Sequence, residues 1–208
     1  VVSNLVVIFT RAAASSVRIN QVFETTPSLT QPQQAQTAPS QLDFIRFENV
    51  AFRYDANGGL ALQNINFSLK PGEFIGITGA TGSGKTTLTQ LIPRFYDVAA
   101  GRILVNGLDV REWDLAALRH QIAFVPQTAV LFHGTIRENL QWGKADATDA
   151  ECFQALATAQ CREFVEKLPE GLNTMVMENG KNFSGCQRQR LTIARALIRK
   201  PNLLILDD

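Results

Sequence analysis

Residues Gly79-Ala80-Thr81-Gly82-Ser83-Gly84-Lys85-Thr86 follow the pattern G-x-x-x-x-G-K-[ST]. They lie after the apolar run Phe74-Ile75-Gly76-Ile77 and before a helix-like stretch, the strand–loop–helix context that makes the pattern informative. The three glycines let the backbone curl so that successive N–H groups point inward at an anion, and the following helix turns the positive end of its dipole to the same place. Lys85 is set to reach the β- and γ-phosphates and Thr86 to hold Mg²⁺. The stretch predicts a nucleoside triphosphate site. A glycine-rich turn that binds nothing is the alternative, and the complete eight-residue pattern with its flanks argues against it.

At 208 residues, 45% of them hydrophobic, the chain is long enough to bury a core and is not a disordered segment. Its 20 basic and 19 acidic side chains leave a net charge of +1, so nothing draws it in general to nucleic acid or anionic lipid. Cys152, Cys161 and Cys186 are unevenly spaced and form no C-x-x-C pair, which argues against a zinc site or a disulfide framework and favours a reducing setting.

The chain opens on Val1 and stops at Asp208 directly after an apolar run, and it reads as a fragment. Residues 1–9 are mostly apolar but far short of the roughly 20 that span a bilayer. They read as the tail of a span, with a short core helix or a signal remnant as alternatives. Arg11 to Glu24 then reads as a polar-faced helix leaving it. The Pro-, Gln-, Thr- and Ser-rich stretch that follows is a linker over 25–43.

From Phe44, the alternations Ile45, Phe47 and Val50, Phe52, Tyr54, then Ile65, Phe67, Leu69, predict strands, followed by the strand that leads into the phosphate loop. Asn106-Gly107 between two apolar runs predicts a tight hairpin, so the early half is partly antiparallel. The later half is mainly helical. Thr135 with Glu138, Thr148 with Glu151, and Ser184 with Gln187 are capping boxes, and each predicts a helix start, the second helix running through Ala159. Leu191, Ala194, Leu197 and Ile198 follow helical spacing, with Lys200-Pro201 as the stop. Finally, Leu203-Leu204-Ile205-Leu206-Asp207-Asp208 has the form of a buried parallel strand that presents carboxylates at its C-terminal edge. Asp207 is the metal candidate, and Asp208 is placed to orient or deprotonate an attacking water.

Jointly these motifs resemble the nucleotide-binding domain of ATP-binding cassette (ABC) transporters, in particular exporter halves whose membrane domain precedes the ATPase. The resemblance also rests on Phe183-Ser-Gly-Cys-Gln-Arg-Gln-Arg190, similar to the family signature L-S-G-G-Q-x-Q-R, on Val125-Pro126-Gln127, and on Thr174-Met-Val-Met-Glu-Asn-Gly180. It implies an α/β P-loop ATPase with a mostly parallel core sheet, an antiparallel subdomain and a helical subdomain near 128–200, within a domain over 44–208. Residues 1–24 then end the last membrane helix. ATP is expected at Tyr54, which stacks on adenine, and at Gly79, Thr81, Gly82, Ser83, Gly84, Lys85, Thr86 and Thr87. Ser184, Gly185, Cys186 and Gln187 are expected to cap the γ-phosphate held by a second such domain paired head to tail. Mg²⁺ falls to Thr86, Gln127 and Asp207, and catalysis to Lys85, Gln127 and Asp208. The resemblance further implies membrane-domain coupling helices at the Gln127 loop and Glu178, a cell-membrane location with this domain on the cytoplasmic side, and an ATPase that is inactive as this fragment alone.

Two departures from the family pattern carry information. Asp208 stands where hydrolytic cassettes usually have Glu, and Cys186 replaces the second signature glycine. The first points to a slow, mainly structural ATP site in a heterodimer. A chromosome-organising or DNA-repair ATPase would need a long coiled coil between phosphate loop and signature, and no sustained heptads occur there. A soluble translation-type ATP switch would need basic RNA-binding arms. Arg188, Arg190, Arg195 and Arg199 read more simply as a solvated helix face.

Overall fold

The computed structural model describes residues 2–27, 29, 30, 32 and 44–207. Most of the expected linker, and Asp208 with its expected catalytic role, lie outside them. The chain divides into two units, 1–30 and 31–208.

The first unit is one helix, α1 (Val2–Glu24), with no buried residue. The apolar stretch and the helix expected after it are therefore continuous. Thr10 returns its hydroxyl to the carbonyls of Val6 and Val7, which removes a bare polar group from the apolar half. With 23 residues and a mean hydropathy of 1.2 over its 18-residue window, α1 is long and apolar enough to cross a membrane. Its length, roughly 34 Å at 1.5 Å per residue, matches a hydrocarbon core of about 30 Å.

The second unit begins with an antiparallel sheet of β1 (Ile45–Phe52), β2 (Leu62–Leu69), β3 (Ala100–Val105) and β4 (Leu108–Asp109), in the order β2-β1-β3-β4. In β1 the buried positions change parity, from Ile45 and Phe47 to Val50 and Phe52. A register shift between Phe47 and Val50, with Asn49 at φ 50°, keeps both halves facing the core. Opposite it, Gly101 at φ 77° comes so close that a Cβ would lie 2.4 Å from the carbonyl oxygens of Glu48 and Asn49, so no other residue fits. Asn106 and Gly107 both have positive φ, as a two-residue hairpin turn of the expected kind requires.

Three helices start where the capping boxes put them: α4 (Ile136–Gln141), α5 (Asp149–Thr158) and α7 (Gly185–Leu197). In each, the cap hydroxyl accepts the amide of the third helical residue, whose side chain accepts the cap amide in return. With α6 (Arg162–Glu166) they enclose a second core between Leu131 and Ile198, separate from the first, which joins the antiparallel sheet to α2 (Lys85–Leu91) and α3 (Leu115–Gln121). A two-residue ladder of β6 (Gly134–Thr135) and β7 (Met175–Val176) ties the start of α4 to the segment before Glu178.

The parallel part consists of β5 (Ile122–Val125) and β8 (Leu203–Leu206), paired from Ile122 with Leu203 to Val125 with Leu206. Contrary to the expectation of a strand there, Phe74-Ile75-Gly76-Ile77 joins no ladder among the described residues, and Phe74 is 93% exposed. The run is apolar enough for a central strand. A parallel strand, however, forms only with neighbours that take up its backbone groups and cover its faces. Leu204 and Leu206 on β8 are exposed as well.

Candidate functional site

Two consecutive residues at the start of α2 organise the site. Gly84 caps the helix at φ 91°, a conformation open to glycine, and Thr86 and Thr87 follow in the first turn. Thr86 donates its hydroxyl to Oδ1 of Asp207 at 2.9 Å. Asp207 is buried at the end of β8, and its own amide donates to the carbonyl of Val125 at the end of β5. The two parallel strands thus deliver Asp207 and the Pro126-Gln127 turn to one edge, next to the loop. A buried carboxylate against a hydroxyl is a pair of hard oxygen donors, the donor set that suits Mg²⁺.

A cavity of about 400 Å³ opens here, lined by Tyr54, Thr81, Gly82, Gly84, Lys85, Thr86, Thr87 and Gln127, with Ala61 as a wall that sequence reasoning missed. The Lys85 ammonium donates to the carbonyls of Gly79 at 2.8 Å and Ala80 at 3.1 Å, folded back over the loop. Gly79 and Ser83 belong to the loop without lining the cavity. At Gly79 a Cβ would lie 2.6 Å from Oγ of Ser83, so the loop closes tightly on itself. Tyr54, on the turn after β1, reaches the same cavity and bonds Thr87 through its hydroxyl at 2.8 Å.

The family model for the ABC transporter matches residues 62–208. The chain belongs to the ABC transporter family. It is 47% identical over 204 residues to an uncharacterised ABC transporter ATP-binding protein, YfiB, of Bacillus subtilis, covering 98% of this chain and 35% of that protein. It is 39% identical over 195 residues to the ATP-dependent lipid A-core flippase of Syntrophus aciditrophicus, covering 94% and 32%. Among solved structures, a bacterial Atm1-family ABC exporter with ATP bound superposes with a TM-score of 0.87 at 32% identity, over 95% of this chain and 34% of that one. The chain therefore spans about a third of the length of these relatives. Its fold is that of an exporter-type ABC ATPase, and it is an ATP-binding domain.

In this ABC domain the signature residues Ser184, Gly185, Cys186 and Gln187 form the cap and first turn of α7 and do not line the cavity. Cys186 is exposed, whereas Cys152 and Cys161 are buried. Burial pushes the Cys161 thiol up to about 11.

The arginines of α7, and Arg199 just beyond its end, do more than the solvated face expected of them, although Arg190 remains exposed. Arg188 donates to the carbonyl of Asn179, Arg190 to that of Gln160, Arg195 to that of Val130 and Arg199 to that of Arg119. Arg195 also lies 5.1 Å over the Phe132 ring, and its Nη1 is buried without a hydrogen-bond partner. Phe132 in turn stands 5.1 Å from Trp142, which is 71% exposed. The loop after Gln127 is clamped by buried Asn139, which bonds both the amide and the carbonyl of Phe132 at 2.8 Å. None of these contacts follows a sequence period, which is why the pattern of residues alone missed them.

Proposed function

We propose that this chain is the MgATP-binding and hydrolysing part of an ABC exporter, lying on the cytoplasmic side of the cell membrane and driving outward movement of a drug, lipid or peptide. The observation that carries the proposal is the bond between Thr86 and Asp207 beside a cavity that also gathers Lys85, Gln127 and Tyr54. Thr86, Gln127 and Asp207 would hold Mg²⁺, which when bound neutralises charge on the phosphates. Lys85 leaves the two loop carbonyls to meet the β- and γ-phosphates, while Tyr54 takes the base. α1 serves as the end of the last membrane helix.

A second nucleotide-binding domain pairs head to tail, so that the first turn of α7, with Ser184 to Gln187, covers the nucleotide in the partner's cavity. The membrane domain's coupling helices meet the Gln127 loop and the Glu178 segment. Support for a contact there comes from exposed Met175 and Met177 beside Glu178, and from the exposed Phe132 and Trp142 behind the loop. Opposed to a soluble switch are α1, long and apolar enough to cross a membrane, and the relatives named as flippase and exporter.

The site is also proposed to be a slow one. Asp208 is shorter than Glu by one methylene, a retraction of roughly 1.5 Å, and a misplacement near 1 Å costs about 10²-fold. In a full-length transporter carrying this chain, Asp208→Glu is expected to raise steady-state ATP turnover about 10-fold or more, with ATP binding unchanged. Unchanged hydrolysis at normal ATP binding would refute the slow-site reading. Failure of Lys85→Ala to impair transport would refute the exporter reading.

A further inference from the structure

The aromatic residue proposed to take the base is held by a neighbour at the end of the preceding strand and by two residues distant in the chain. Tyr54 sits on an exposed turn and is itself 55% exposed, so left alone it would sample several rotamers and lose that freedom on binding. Three groups restrict it. Phe52, buried at the end of β1, meets its ring nearly at right angles with centroids 4.8 Å apart. Tyr96, after α2, meets it at 87° and 5.3 Å, and contacts Phe52 as well. Thr87, which is 7% exposed on the first turn of α2, shares a 2.8 Å hydrogen bond with the phenol hydroxyl.

We propose that Thr87, which also lines the cavity, and Tyr96 are positioning residues that pre-set Tyr54 over it, so that they govern affinity for the adenosine part of ATP through Tyr54. The proposal rests on the assignment of Tyr54 to the base. The physical basis is pre-organisation: a side chain already fixed in its bound rotamer does not lose that entropy again when ligand arrives. Because Thr87 adjoins Thr86, the same helical turn that presents a hydroxyl to Asp207 also fixes the aromatic platform, and the base and phosphate ends of the ligand are set from one rigid element. Tyr54→Phe would keep the ring but lose this link. Tyr96→Phe would keep the edge contact, which is made by the rings.

The test measures binding of MgATP and of magnesium tripolyphosphate, which has no base, to the whole chain in mild detergent. Variants are Thr87→Val, Thr87→Ser, Tyr54→Phe, Tyr54→Ala, the Tyr54→Phe/Thr87→Val pair, Tyr96→Ala and Tyr96→Phe, each checked by thermal melt. Freezing one side chain is worth about 2- to 12-fold in affinity. Thr87→Val, Tyr54→Phe and Tyr96→Ala should each narrow the preference for MgATP over tripolyphosphate by that factor. The Tyr54→Phe/Thr87→Val pair should be no worse than either single change, and Thr87→Ser and Tyr96→Phe should restore the preference. An equal loss for both ligands, or additive losses in the pair, would overturn the proposal. So would an unchanged preference in Thr87→Val and Tyr96→Ala while Tyr54→Ala abolishes it. If Tyr54→Ala itself leaves the preference intact, the assignment of Tyr54 to the base fails instead.

Discussion

Replacing Gly84 with alanine separates two costs that the geometry of the phosphate loop makes calculable. At φ 91° an alanine is strained by roughly 1–2 kcal/mol. Its Cβ would also lie 2.8 Å from Cδ2 of Leu62 and 3.2 Å from the carbonyl oxygen of Ala61. Leu62 is buried in the first core, and Ala61 is held by a hydrogen bond to Phe52, so neither yields freely, and overpacking of this kind costs roughly 1–3 kcal/mol. Together the loss is about 2–5 kcal/mol, or roughly 4–20 °C in melting temperature for a chain of this size. Gly82→Ala supplies the control. It has φ 81° but nothing within 4 Å of the added Cβ, so only the strain applies, about 2–8 °C. Gly185→Ala, with open space and no positive φ, should melt within about 1–2 °C of wild type. The assay is differential scanning calorimetry without nucleotide, in one detergent buffer. If Gly84→Ala melts no lower than Gly82→Ala, the loop does not pack on β2 as described, and the geometry of the cavity wall is wrong.

Acid should loosen the helical part in a defined window. The Lys144 ammonium, and after it the Thr148 amide, hold the Glu151 carboxyl down at about 2 against an ordinary 4.5. That stabilisation is complete above pH 4.5 and is lost as the pH falls from there through about 2. Lys144→Met should therefore move the acid transition, followed by far-ultraviolet circular dichroism, to higher pH, and an unmoved curve would rule the pair out. Thiol labelling of the native chain should modify Cys186 quickly and leave Cys152 and Cys161 untouched until denaturant is added, because the thiolate is the reactive form and burial suppresses it. Fast labelling of Cys152 or Cys161 in the folded chain would contradict the enclosed second core.

Local chemistry made much of this fold legible. A capping box needs two residues three apart, so Thr135, Thr148 and Ser184 could be read directly, and Asn106-Gly107 carried its turn in its backbone preferences. The glycine turn of the phosphate loop and the parallel strand Leu203–Leu206 were legible from local composition too, although Leu204 and Leu206 are exposed where a buried strand was expected. What escaped depends on partners distant in sequence. Phe74 to Ile77 has the composition of a strand, yet strands form by pairing, which composition does not encode. Tyr96 against Tyr54, Asn139 around Phe132 and Arg195 over Phe132 are contacts without periodicity, visible only once the chain is folded.

The most direct measurement of the central claim is calorimetric titration of MgATP into the wild-type chain and into Lys85→Ala. Lys85 is half-buried in the cavity wall and already donates two hydrogen bonds to the loop, which it must give up to bind phosphate. The variant therefore loses the phosphate contact less what those bonds are worth. Bonds to ionised phosphate oxygens are stronger than the two bonds to neutral carbonyls that they replace, and if the difference amounts to one hydrogen bond of about 1.5 kcal/mol the net weakening is about 10-fold. Saturable one-to-one binding of MgATP is expected, falling by about that factor in Lys85→Ala, while a thermal melt shows both proteins folded without nucleotide, the variant lower by the loss of the two loop bonds. Equal affinities, or no binding by the wild-type chain, would contradict it.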